Sequence, residues 1–192
     1  MPEFRYLRAS EWGMRWAKPP AVEKLADPEV YVHHTAGNRF STDAATAFRT
    51  INDYAINTKG YSALDYDILV HRNTVSGLVT IGEGRGPYRS AATLDRNEEG
   101  EAICVMGYFH PGHKLSEQPH PDEVEGVALG IVWGIENGWI AADAKILGHR
   151  DNPAHPGATG CPGDYLYAHM DTIRRRVTEL LTPPVPPTQE IT

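Results

Sequence analysis

The residues most suited to chemistry sit in one stretch, residues 148–164, which reads GHRDNPAHPGATGCPGD. His149 follows a short apolar run and Cys161 is wedged between Gly160 and Pro162. Imidazole and thiolate are preferred ligands of zinc, and a Pro- and Gly-rich loop of this length can fold back to bring both onto one ion. Two ligands do not complete a site. A third is best sought where another strand ends and a loop begins.

Residues 29–35 (EVYVHHT) are β-branched and aromatic and run into Ala-Gly, which predicts a strand with His33 and His34 at its end. Successive strand residues point to opposite faces, so only one of the two can face the His149–Cys161 loop, and spacing does not choose between them. Cys104 lies inside an apolar run and reads as a small core residue.

The elements that must position these groups imply an α/β fold, a mixed β-sheet with helices packed on it and the site at one end of the strands. Residues 1–28 read as an irregular arm carrying Trp12 and Trp16. Ser41 or Thr42 is placed to cap a helix in which Ala44, Ala47, Phe48, Ile51 and Ala55 recur at helical spacing. Residues 65–71 and 78–81 suggest a hairpin, with a glycine-rich loop at 82–87. The near-continuous apolar run at 102–109 suits a strand covered on both faces, followed by a polar loop at 110–121. A helix from Asp122 carries Val124, Val127, Ala128, Ile131, Val132 and Ile135 on one stripe and stops at Gly138. A short strand at 145–147 and a single last helix from Gly163 complete the body. Residues 29–181 are thus one domain, and 182–192 (TPPVPPTQEIT) a Pro-rich linker or tail.

Composition narrows the partners. At 192 residues the chain suits one well-buried domain, with 41% hydrophobic and 22% charged residues. A net charge of −7 argues against a general nucleic-acid binder, and there is no basic cluster of the kind that seeks anionic membranes. Two cysteines do not make a disulfide framework. The start lacks a secretory pattern and no apolar run reaches membrane-spanning length, so membrane insertion is not expected.

Taken together, VYVHHTAG, GYSALDYDILVHRN, GEGRG and GHRD…TGCPGD occur in the order seen in zinc N-acetylmuramoyl-L-alanine amidases. That family includes peptidoglycan recognition proteins and small phage endolysin amidases. The likeness runs from about Trp12 to Leu181, and Glu11-Trp12-Gly13 resembles the family's entry segment. It implies zinc held by His33, His149 and Cys161, with a fourth position open, as catalytic rather than structural zinc has. It also implies hydrolysis of the amide between N-acetylmuramic acid and L-alanine, with a tyrosine, here Tyr66, donating to the substrate carbonyl. Thr159 stands where phage members often have Lys and many recognition-protein amidases have Thr, so its role would be a neutral hydrogen bond. The resemblance gives no general base.

Further expectations attach to that reading. Arg85 either pairs with a stem-peptide carboxylate or is a structural tie, and His34 lies near enough the site to touch substrate. Asp151 is expected to hold Arg150 or to orient a ligand histidine. The partner is bacterial peptidoglycan, met by a monomer. The start and the Pro-rich tail favour a bacteriolytic phage endolysin's catalytic domain, made in the host cytoplasm and acting on the wall after release, while a bacterial cytoplasmic recycling amidase would equally lack a signal and stays open. The alternatives are a non-catalytic peptidoglycan-binding module of the same fold and a thiol hydrolase built on Cys161 and His149.

Overall fold

The computed structural model describes residues 3–20 and 26–182. Six strands and five helices follow in chain order: β1 (Phe4–Leu7), α1 (Ala9–Trp12), β2 (Asp27–His34), α2 (Ala44–Asn57), β3 (Ile68–Arg72), β4 (Val79–Glu83), β5 (Gly100–Val105), α3 (Pro121–Glu136), β6 (Ile140–Gly148), α4 (Asp164–Tyr167) and α5 (Met170–Leu181). The strands form one mixed sheet ordered β1-β4-β3-β5-β2-β6, in which only β3 and β4 run antiparallel. The expected α/β architecture with a β3–β4 hairpin is what the chain adopts.

Strand alternation sorts the side chains onto two cores. Val30 and Val32 of β2, Ile103 of β5 and Ile68 of β3 meet Val127, Ala128 and Ile131 of α3 on one face, with Ile173 and Val177 of α5 behind them. On the other face Leu69 and Cys104 meet Ala47 and Phe48 of α2, and Trp12 packs beside them. Phe48 is fully buried, edge-on to Trp12 at 5.8 Å, and lies so close over β4 that a Cβ at Gly82 would strike its ring. Gly82 and Glu83 therefore finish a strand rather than open the glycine-rich loop.

Other boundaries move for equally local reasons. Asp43, not Ser41 or Thr42, caps α2, because its carboxylate accepts from Thr46 N (3.0 Å) and from the Thr46 hydroxyl (2.7 Å). The expected irregular arm supplies an edge strand and a helical turn. β1 is four residues long and held by parallel pairing with β4, a distant partner. β3 begins only at Ile68, leaving Asp65 and Tyr66 just outside the sheet. β5 stops at Val105, after which Phe109 N–H donates to His34 Nδ1 (3.2 Å) instead of a strand ladder. β6 is longer than expected: an edge strand paired with β2 alone, its middle carries small and partly exposed residues that give no apolar signal. The last helix breaks between Tyr167 and Met170. The Pro-rich segment from 183 onward lies outside the described residues.

The Phe48 ring joins α2 to the sheet, so Phe48→Ala is expected to destabilise the fold by about 3–5 kcal/mol. Urea unfolding followed by circular dichroism checks this; a change below about 1 kcal/mol would show that the core between α2 and the sheet is not arranged as described.

Candidate metal centre

β2 and β6 lie side by side and parallel, so both deliver their last residues to the same end of the sheet. β2 ends with His33 and His34, and β6 runs through Gly148 into a short 3-10 turn, residues 149–151, that begins with His149. The loop that follows returns to the same place, where Arg150 N–H donates to the Cys161 carbonyl (2.9 Å) and Cys161 N–H to the Thr159 hydroxyl (3.1 Å). Gly163 lets the chain leave: its φ is +88°, and a Cβ there would collide with the Phe109 carbonyl.

These turns bring His33, His149 and Cys161 together, with one possible ligand atom from each lying within 4.8 Å of the others. Cys161 Sγ is 3.7 Å from His33 Nδ1, and the two imidazole centroids are 4.3 Å apart. Zinc–sulfur and zinc–nitrogen bonds at a tetrahedral angle separate their donors by about 3.6 Å, so the set fits that ion with little movement. His33 Nε2 lies 3.1 Å from the hydroxyl of the buried Thr93. That contact fixes the ring with Nδ1 toward the cluster, the outer-shell support a metal-ligating histidine ordinarily has. His34 points its ring elsewhere but donates its backbone N–H to Cys161 Sγ (3.4 Å).

Electrostatics match the geometry. Burial, then the neighbouring His149 and His34, hold the His33 imidazole well below its ordinary pKa, and burial lowers His149 too. Both rings are therefore neutral, as ligation requires. Burial pushes the Cys161 thiol up to about 12, opposed by the His34 N–H and Arg150. A desolvated thiol of that kind is a poor free nucleophile, which weighs against the thiol-hydrolase alternative.

Around the cluster opens a cleft of about 600 Å³, lined among others by Tyr66, Thr159, Lys59 and His110. The Tyr66 ring lies 5.6 Å from that of His33. Burial, with Cys104 and Asp65 as neighbours, holds its phenol well above the usual range, so it stays protonated, its hydroxyl meeting the Cys104 thiol. A second cleft of about 620 Å³ continues past His149 and Tyr61 toward Trp16, Tyr88 and Arg89.

Three expected roles come out differently or more narrowly. Arg85 borders the second cleft, but its guanidinium donates to the carbonyls of Leu64 (2.5 Å), Arg89 (2.8 Å) and Ala63 (3.2 Å), the structural tie of its two alternatives. Asp151 holds neither Arg150 nor a ligand ring. Its oxygens accept from Gly148 N–H (2.9 Å) and the Tyr167 hydroxyl (2.8 Å), while Arg150 pairs with Asp164 (2.8 Å). His34 lines the cleft with its Nδ1 already accepting from Phe109. Sequence reasoning passed over Thr93, Lys59 and Asp65; a hydroxyl that meets its histidine only in three dimensions has no local signature.

No family model matches the chain. Among curated proteins, peptidoglycan-recognition protein SC2 of Drosophila melanogaster is 29% identical over 172 residues, covering 86% of this chain and 84% of the relative. Peptidoglycan-recognition protein LB of the same organism is 26% identical over 173 residues, covering 88% and 68%. The chain's homologues are peptidoglycan-recognition proteins. Solved members share the fold. Drosophila PGRP-LB superposes with a TM-score of 0.73 at 24% identity, over 88% of this chain and 94% of that one. PGRP-LE, solved in complex with tracheal cytotoxin, a monomeric diaminopimelic acid-type peptidoglycan, gives 0.72 at 24%, over 87% and 92%.

Two outcomes follow from the cluster. Thr93→Val removes the partner of His33 Nε2 and is expected to weaken zinc binding about 10- to 100-fold in a competitive chelator titration; unchanged affinity would remove Thr93 from the site. Because the imidazoles are neutral and the thiol protonated at neutral pH, zinc uptake should release one proton, from Cys161. Affinity should then rise about tenfold per pH unit between pH 6 and 8. Calorimetry in buffers of different ionisation enthalpy counts the proton, and a count of zero would contradict the assignment.

Proposed function

We propose that the chain is a zinc-dependent amide hydrolase acting on bacterial peptidoglycan at the bond between N-acetylmuramic acid and L-alanine. The observation that carries this reading is the convergence of His33, His149 and Cys161 in an open cleft, with Thr93 behind His33. A three-ligand set leaves one coordination position for solvent or substrate, the mark of a catalytic rather than a structural site. The likeness to proteins that recognise peptidoglycan, and to a PGRP-LE structure holding a peptidoglycan fragment, supports the substrate class.

Zinc, when bound, would supply Lewis acidity, polarising the scissile carbonyl and making water more acidic. The chain supplies the rest. Tyr66, kept protonated by burial, donates its phenolic proton to the carbonyl oxygen as charge gathers there. Thr159, whose oxygen accepts from Cys161 N–H, still has its hydroxyl hydrogen to donate toward the cleft. The two joined clefts take the substrate's flanking sugar and peptide, with the cationic Lys18 and Arg89 in the second.

Purified cell wall incubated with the zinc-loaded protein is expected to release stem peptides with a free N-terminal L-alanine, seen by mass spectrometry. A strong chelator should abolish release and added zinc restore it. Wall retention without new amino termini would instead establish a binding module. Tyr66→Phe is expected to keep its zinc and to slow turnover at least tenfold, and wild-type turnover in that variant would take Tyr66 out of the reaction.

A further inference from the structure

The proposed reaction must move a proton from water to the departing amine, and none of the groups assigned so far can do so. Thr159 is a neutral hydroxyl, and burial holds Tyr66 protonated. Lys59 and Asp65 are bound to each other at 2.6 Å. His34 is only 8% exposed, with its Nδ1 occupied by Phe109 N–H. Among the described residues lining the cleft, one further imidazole remains, His110.

Its setting is built rather than incidental. His110 Nδ1 is buried and faces Asp164 Oδ1 at 3.5 Å. The same ring edge covers Gly160, where a Cβ would lie 3.7 Å from Cε1 and 3.8 Å from Nδ1. Arg150 grips the same Asp164 oxygen at 2.8 Å. The backbone is anchored on both sides, by the Ser116 hydroxyl on the His110 carbonyl and by Tyr165 N–H on the Phe109 carbonyl. With Nδ1 buried and 40% of the side chain still exposed, Nε2 is the ring nitrogen left accessible on a residue that lines the cleft. The groups facing the ring are Asp164, Arg150 and, from β2, His34. An imidazole with one nitrogen against a carboxylate and the other open to the reacting site is the arrangement of a general acid–base pair.

Resting on the hydrolase reading above, we propose that His110 is the proton shuttle and Asp164 its positioning residue. As the water oxygen bonds to the carbonyl carbon, Nε2 takes the released proton. It then delivers that proton to the alanine nitrogen as the C–N bond breaks, leaving a carboxylic acid on the muramic side and a free amine on the peptide.

The test uses zinc-loaded protein and two substrates, a muramoyl-L-alanine amide and an aryl ester of the same muramoyl acid, whose leaving group departs without a proton. His110→Gln, and His110→Asn as a second geometry, are expected to keep their zinc content by atomic spectroscopy. Each should lose about 100-fold in kcat on the amide, with KM little changed. Each should lose less on the ester, which needs the proton taken from water but none delivered to the leaving group. Asp164→Asn, which leaves the His110 ring unpositioned, should lower kcat on the amide more than on the ester, with KM little changed. Equal losses on both substrates, which would leave His110 a base and not a shuttle, or an unchanged amide rate, would overturn the proposal while the hydrolase reading stands. A wild-type protein that cleaves neither substrate would end both.

Discussion

A buried imidazole, a half-buried imidazole and a half-buried thiol are held against one another at the foot of a cleft, and the structure is organised around that arrangement. Such a set is costly as it stands. Burial opposes charge on each member, the two rings repel a second proton, and the sulfur has only the His34 N–H and the distant Arg150 to favour its ionisation. A divalent cation relieves all three conditions together, because it takes neutral nitrogen, prefers ionised sulfur and returns positive charge to the site. The sheet exists in the form that makes this possible. Parallel pairing of β2 with β6 brings two strand ends to one place, and a loop stitched by Arg150 and Thr159 returns the sulfur to them.

The surrounding polar groups are each used to hold position. Arg85 ties three carbonyls behind the second cleft, and Asp151 pins the 3-10 turn to α4 through Tyr167. Thr93 orients His33 from below. The result is a set of fixed side chains around two clefts that share Tyr61 and His149 in their walls, a rigid frame of the kind that positions a reacting bond.

Much of this was legible in the chain, and what was not has physical reasons. Strong β-branched runs located β2, β3 and β5, and the apolar stripe located α3, since burial imposes its period directly on the sequence. The ligand set could be narrowed to His149, Cys161 and one of two adjacent histidines; strand alternation forbade both, and only the likeness to a family favoured His33. Edge strands were the least readable. β1 and the first half of β6 have one paired neighbour each and little apolar periodicity. Gly82 reads as loop, yet it is glycine because Phe48 lies on it within a strand. Contacts between distant polar groups, such as Thr93 with His33 or Tyr167 with Asp151, left no local trace. Neither alternative for Asp151, holding Arg150 or orienting a ligand histidine, is the contact it makes.

X-ray absorption at the zinc edge of the metal-loaded protein addresses the central claim most directly. The account predicts one sulfur at about 2.3 Å and two imidazole nitrogens at about 2.0–2.1 Å, with a further light-atom ligand from solvent. A shell without sulfur, with two sulfurs, or with protein ligands filling every position would contradict it.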